Sequence, residues 1–273
     1  MKSPESKAAP IRIEKSMKSI VSVKSYIFTA MQKFPLKLEK SLQLRKQHNS
    51  FRKLSSQGDL IDFSSNDYLG FARNKEIFEN THKILLKYDL MKNGGTGSRL
   101  LSGNHELYTI AEEELKRFFH SEAALIFNSG YDANLGVFSG VPQRGDIILY
   151  DELSHASIRD GINLSNSKAY KFLHNDLQDL EEKILRFKTA SFEGEIYIVT
   201  EAVFSMDGDI PELRRMAELS EKHNCYLIVD EAHSTGVTGR DGKGLVKELG
   251  IAEKVFARII TFGKALGAHG AAI

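Results

Sequence analysis

Tyr226-Leu227-Ile228-Val229-Asp230-Glu231-Ala232-His233 begins as an unbroken apolar run and ends abruptly in ionisable side chains. A strand with one solvated face alternates apolar and polar residues, whereas a strand covered on both faces stays apolar throughout. Similar short runs recur at residues 123–127, 146–150, 169–173, 195–200 and 255–261. Between them, helical spacing of apolar residues predicts helices over 105–119, 132–140, 155–164, 176–187 and 211–223, with Pro211 suited to a first turn and Asp209 to a cap. Strand followed by helix, repeated, predicts an α/β fold: a largely parallel sheet with helices on both faces.

Composition bounds the possible functions. The chain has 273 residues, 41% of them hydrophobic and 27% charged, as expected of an ordinary soluble globular protein. A net charge of +1 gives no reason to expect a nucleic-acid partner. Cys225 is the only cysteine, so no intramolecular disulfide can form, and a reduced cytoplasmic location is expected. No apolar run approaches the roughly 20 residues that span a bilayer, and no signal-peptide core opens the chain. Residues 1–58, rich in Lys, Arg and Ser, read as a leader and an arm helix over about 33–53, carrying Leu36, Leu42, Leu44 and Phe51. Glu5 and Glu14 argue against a transit peptide, and Met17 and Met31 are alternative starts. Residues 59–273 read as one large domain.

In a parallel sheet of this kind, ligands bind beyond the carboxyl ends of the strands. Polar and glycine-rich stretches fall at those ends: Asn128-Ser129-Gly130-Tyr131, 151–157, 201–209, 230–236 and 261–270. Asp230-Glu231-Ala232-His233 after an apolar strand also marks the Mg²⁺-binding strand of helicase ATPases. Those enzymes need a G-x-x-x-x-G-K-[ST] phosphate loop, and neither Gly242-Lys243-Gly244 nor Gly263-Lys264-Ala265 fits it. A buried Asp230 would need a cation or strong donors, such as a protonated heterocyclic nitrogen, although an Asp that only caps its own turn is the alternative. The amides of Gly130 and Tyr131, at a strand-to-helix turn, could bind an anion. Gly94-Gly95-Thr96-Gly97-Ser98 and Gly103 could approach a phosphate or simply turn a corner. Lys264, between glycines at the mouth of the last strand, would lose pKa on partial burial and become a nucleophilic amine. An aldehyde-reactive lysine, an anion site, a flat imidazole at His155 and an Asp for a ring nitrogen together describe a pyridoxal phosphate site, with no metal.

From about Asp62 onward the sequence resembles the α-oxoamine synthases, pyridoxal-phosphate enzymes of fold type I. The resemblance rests on Ser64-Ser65-Asn66-Asp67-Tyr68-Leu69-Gly70, Gly94 to Gly103, Ser154-His155-Ala156-Ser157, the stretch from Thr200 to Asp209, Asp230-Glu231-Ala232-His233 and Thr261-Phe262-Gly263-Lys264. It implies that Lys264 carries the cofactor, that Asp230 faces its ring nitrogen and that His155 stacks on the ring. It further implies that His233 and Ser205 contact the 3-oxygen region, and that Gly130, Tyr131 and Thr261 hold the phosphate. Asn66 and Glu201 would shape the substrate pocket, and Arg52 resembles an N-terminal arginine that contacts substrate.

The Ser-Ser-Asn-Asp-Tyr and Thr-Phe-Gly-Lys forms, with Gly270-Ala271-Ala272, are most similar to the biotin-pathway branch. That branch condenses L-alanine with a pimeloyl thioester of CoA or acyl carrier protein, losing CO₂. Siblings use glycine or serine, and a non-catalytic partner subunit would not be expected to retain Lys264. The family pattern implies a homodimer and a C-terminal small domain after the lysine strand, so a chain ending at Ile273 is expected to lack that domain and to expose apolar surface.

Overall fold

Alternate residues of the central strands point to opposite sides of one sheet, and helices cover both sides. The structure is a computed structural model that describes residues 34–52, 54, 61–91 and 94–273. The expected leader, the two alternative start methionines and the boundary between residues 58 and 59 lie outside the described residues. Those that are described fall into two units divided after Asp62. The first contributes helix α1 (Leu36–Gln47), which buries none of its residues. The second, Phe63–Ile273, holds the sheet.

That sheet has seven strands: β1 (Ile126–Phe127), β2 (Ile147–Asp151), β3 (Lys168–Phe172), β4 (Ile196–Glu201), β5 (Tyr226–Asp230), β6 (Ala257–Thr261) and β7 (Ala271–Ala272). Their order is β1-β7-β6-β5-β4-β2-β3. β3, β2, β4, β5 and β6 pair in parallel, while β7 runs antiparallel to both β1 and β6. Helices α2 (Lys75–Lys87), α3 (Glu106–Phe119), α4 (Gly130–Gly140), α5 (Ala156–Leu164), α6 (Leu177–Phe187), α7 (Leu213–Lys222) and α8 (Leu245–Glu248) complete the unit.

On one side, Leu149, Ile198, Leu227 and Val229 pack with Leu180 and Ile184 of α6, Leu213 and Met216 of α7, and Val246 of α8. On the other, Ile148, Val199 and Ile228 pack with Ala133 and Phe138 of α4 and Ile158 of α5. Each Leu, Ile, Val, Phe or Met side chain among them, fully buried, contributes about 1.5–3 kcal/mol relative to exposure. Two covered faces account for the lack of alternation in 226–230. β3 is an edge strand with Lys168, Tyr170 and Lys171 exposed, so its pattern is mixed.

Three local features depart from the sequence pattern. The strand expected over 123–127 shortens to β1, although Leu125 still exchanges backbone hydrogen bonds with Ile273. α7 begins at Leu213, beyond Pro211, and has no side-chain cap. Asp209 does not cap it, because its carboxylate accepts from His174 Nε2 at 2.7 Å and Asn175 Nδ2 at 2.6 Å. β7 was not expected, being only two residues of antiparallel pairing.

Candidate active site

The ends of β4, β5 and β6 deliver Glu201, Asp230 and Thr261 to one rim, and register places Glu201 directly beside Asp230. The turn after β6 then returns Lys264 toward the end of β5. Its Nζ lies 2.6 Å from Nε2 of His233, and Nδ1 of His233 lies 2.8 Å from the Tyr68 hydroxyl. Tyr68 also reaches Asn66 Oδ1 at 3.1 Å. Burial lowers the Lys264 pKa from the ordinary lysine value, against the opposing charges of Asp230 and Glu201. Burial, with the Lys264 charge, pushes His233 down to about 4, so its ring is neutral at neutral pH.

Asp230 is 5% exposed and has no cationic hydrogen-bond partner among the described residues. Its Oδ1 accepts from the Ala232 amide and its Oδ2 from Asn134 Nδ2, each at 2.9 Å. The same Asn134 Nδ2 donates to Ser157 Oγ at 3.0 Å. Ser157 in turn directs its backbone N–H, at 3.2 Å, and its hydroxyl, at 2.7 Å, to His155 Nδ1. An N–H can only donate, so Nδ1 is an acceptor and the neutral His155 ring carries its proton on Nε2. A flipped Asn134 amide would put an oxygen against the Asp230 carboxylate, so the fork has one sensible orientation. The close approach of α4 and α5 that permits it comes from Gly161, where a Cβ would lie 2.7 Å from the Asn134 carbonyl oxygen.

Glu201 accepts the His155 backbone N–H at 2.6 Å. It is 4% exposed. Burial first, and then the neighbouring Asp230 charge, push its carboxyl up to about 8. Two carboxyls so close cannot both ionise cheaply, and Glu201 is the one left protonated near neutrality.

At the other end of the rim, Ser129 caps α4 by accepting from the Asp132 amide, which leaves the Gly130 and Tyr131 amides without an acceptor among the described residues. A Cβ on Gly130 would stand 3.4 Å from the Thr261 hydroxyl oxygen, so a side chain there would narrow the gap between helix terminus and hydroxyl. The Tyr131 hydroxyl points elsewhere, donating to Asp160 at 2.6 Å, which raises the phenol pKa.

Lys264, His233, Tyr68 and Asn66 thus form one chain of contacts, and Asp230, Asn134, Ser157 and His155 a second. Ser205 sits in an exposed turn with no hydrogen bond to either. Arg52 is exposed in the first unit. The glycine-rich segment 94–103 makes a tight corner in which Gly103 approaches Gly97 too closely for any Cβ. Arg99 pins that corner by pairing with Glu112 at 2.6 Å. Asn134, Ser157 and Tyr68 escaped the sequence reading as site residues. Asn134 could have been noticed as a lone polar residue on the buried face of α4, between Ala133 and Val137.

The donor set fits pyridoxal phosphate. Free helix-start amides and a hydroxyl suit a phosphate dianion, the buried Asp230 carboxylate suits a protonated ring nitrogen, and Lys264 supplies an amine of lowered pKa. No metal-binding cluster of His, Cys, Asp or Glu occurs among the described residues.

Residues 58–273 match the family model for aminotransferase class I and II. The 8-amino-7-oxononanoate synthase of Geotalea daltonii is 40% identical over 234 residues, covering 86% of this chain and 58% of that protein. A solved structure of SPT with PLP superposes with a TM-score of 0.70 at 32% identity, covering 76% of this chain and 51% of that one. The 8-amino-7-oxononanoate synthase of Francisella tularensis gives a TM-score of 0.63 at 32% identity, over 78% of this chain and 58% of that one. The chain spans 60–62% of the length of the first two curated relatives it matches.

Proposed function

The chain belongs to the aminotransferase class I and II family, in its α-oxoamine synthase branch, and from that premise we propose that it serves the decarboxylative condensation of L-alanine with a pimeloyl thioester, giving 8-amino-7-oxononanoate. The observation that best supports this reading is the half-buried Lys264 amine, held 2.6 Å from a neutral imidazole and facing the Asp230 and Glu201 carboxyls. Bound pyridoxal phosphate would accept the electron pair left at the amino acid Cα when a bond there breaks.

The protein's own residues supply binding and proton transfer. The amides of Gly130 and Tyr131, with the Thr261 hydroxyl, hold the phosphate at the start of α4, where the helix dipole favours an anion. Asp230 would face the ring nitrogen, and the Asn134 and Ala232 donors hold its carboxyl in place. His155 would cover one face of the ring, its Nδ1 held by Ser157. His233 and Ser205 serve the 3-oxygen region. Lys264 would hold the cofactor, and its amine of lowered pKa would serve as the base for the Cα proton of the amino acid. Asn66 and Glu201 belong to the substrate pocket. The working protein is a cytoplasmic homodimer in this reading. No helix among the described residues is long and apolar enough to cross a membrane.

Lys264→Ala is expected to abolish the visible absorption that a lysine-linked cofactor gives, and with it the exchange of the alanine α-proton. A visible band surviving in that variant would overturn the assignment. Substrate choice is read by comparing L-alanine plus pimeloyl thioester with glycine plus acetyl thioester as paired substrates.

A further inference from the structure

His233 stands between two partners, with Lys264 Nζ at 2.6 Å from one ring nitrogen and the Tyr68 hydroxyl at 2.8 Å from the other. A neutral imidazole carries one proton, so it donates through one nitrogen and accepts through the other. While Lys264 is an ammonium it can only donate. Nε2 is then the acceptor, Nδ1–H donates to Tyr68 Oη, and the Tyr68 hydroxyl donates to Asn66 Oδ1 at 3.1 Å. Every donor in this line has an acceptor, and the line leads from a half-buried amine to a tyrosine that is 46% exposed. Tyr68 and Asn66 lie 165 or more residues away in sequence from His233, so the line is a product of the fold.

We propose that Tyr68 and His233 form a proton relay that carries a proton between Lys264 and solvent, with Asn66 holding the Tyr68 hydroxyl in line; this rests on Lys264 being the reactive amine of the proposed function. In the outward direction an Nζ–H bond of Lys264 breaks as an Nε2–H bond forms on His233. The Nδ1 proton passes to Tyr68 Oη, and the original hydroxyl proton, released from Asn66 Oδ1, leaves Oη for water. Lys264 ends as a neutral amine, Tyr68 as a neutral phenol and His233 as its other tautomer, with one proton delivered to solvent. The reversed line, Tyr68 donating to Nδ1 and Nε2–H to the amine, returns it. The low proton affinity of His233 suits a relay, because the ring hands the proton on without retaining it. The charged or titratable groups acting on this pair are Asp230 at the end of β5, Glu201 at the end of β4 and His155 at the start of α5. No hydrogen bond joins Lys264 to Asp230 or Glu201, so among the described residues the relay is the hydrogen-bonded outlet of Lys264.

Two measurements test this in the wild-type chain and in Tyr68→Phe, which keeps the aromatic ring. Nitrogen NMR of the histidine side chains, without cofactor, is expected to place the His233 proton on Nδ1 in the wild type and to show a tautomer mixture in the variant. An unchanged His233 signal would overturn the proposal. Stopped-flow attachment of pyridoxal phosphate to Lys264 is expected to be independent of buffer concentration in the wild type. In Tyr68→Phe it should be slower on the order of tenfold or more and recover with added imidazole, as lost proton transfer does. An unaltered rate, or a slower one that imidazole leaves untouched, points to a structural role only and overturns the relay. If the wild type takes up no pyridoxal phosphate, the functional reading fails, and the NMR comparison alone decides the relay.

Discussion

Glu201→Gln should stabilise the protein, and increasingly so as the pH rises. In the unfolded chain Glu201 ionises near its ordinary value of 4.5, whereas in the fold burial and the Asp230 charge hold its proton up to about 8. Between those limits the folded state binds more protons than the unfolded one, so raising the pH destabilises the fold. From 4.5 to about 8, at about 1.4 kcal/mol per pH unit, the accumulated cost is about 3 kcal/mol near pH 7 and levels off at about 5 above pH 8. Glutamine has nearly the same shape, retains an oxygen for the His155 N–H at 2.6 Å, and cannot ionise. Denaturant unfolding of both proteins at a series of pH values reads the difference directly. The two should coincide near about pH 4.5 and diverge steadily up to about pH 8. A difference that stays flat across that window would refute the claim that Glu201 is held protonated in the fold.

Asn134→Leu fills a similar volume but removes the donor shared by Asp230 and Ser157, at an expected cost of about 2–3 kcal/mol in urea unfolding, with weaker pyridoxal phosphate binding in equilibrium titration. His174 lies 2.8 Å from Asp151 and 2.7 Å from Asp209. Burial opposes its charge, but the hydrogen bonds and charges of the two carboxylates outweigh that and raise its pKa above 6.5. Its stabilisation is therefore complete below 6.5 and lost as pH rises through the raised value. His174→Gln should lower the thermal midpoint most at about pH 6 and progressively less toward about pH 9, and an equal drop at every pH would contradict the ion-pair account.

The parallel architecture was legible because a strand buried on both faces has little choice of residue: Leu227, Ile228 and Val229 each face packed helices or neighbouring strands. Helix interiors were equally legible from apolar periodicity, as in α6 and α7. Helix starts were less so, since the competing demand of His174 for Asp209 is a tertiary contact that no local pattern announces. β7 was invisible for the same reason, its two alanines being set by pairing with β1 and β6. In the site, Lys264, Asp230 and Thr261 were marked by their place at strand ends. Asn134 and Tyr68 were not, because their significance lies in what they touch across 96 and 165 residues of sequence.

The single amide of Asn134 supports both Asp230 and, through Ser157, the His155 ring. Energies of substitution at Asp230 and His155 should therefore fail to add, since removing either member frees the fork to serve the other. Scanning one position at a time would then credit each residue with part of its neighbour's effect. Only a thermodynamic cycle built with Asn134 as the third corner would separate the contribution of the acid from that of the imidazole.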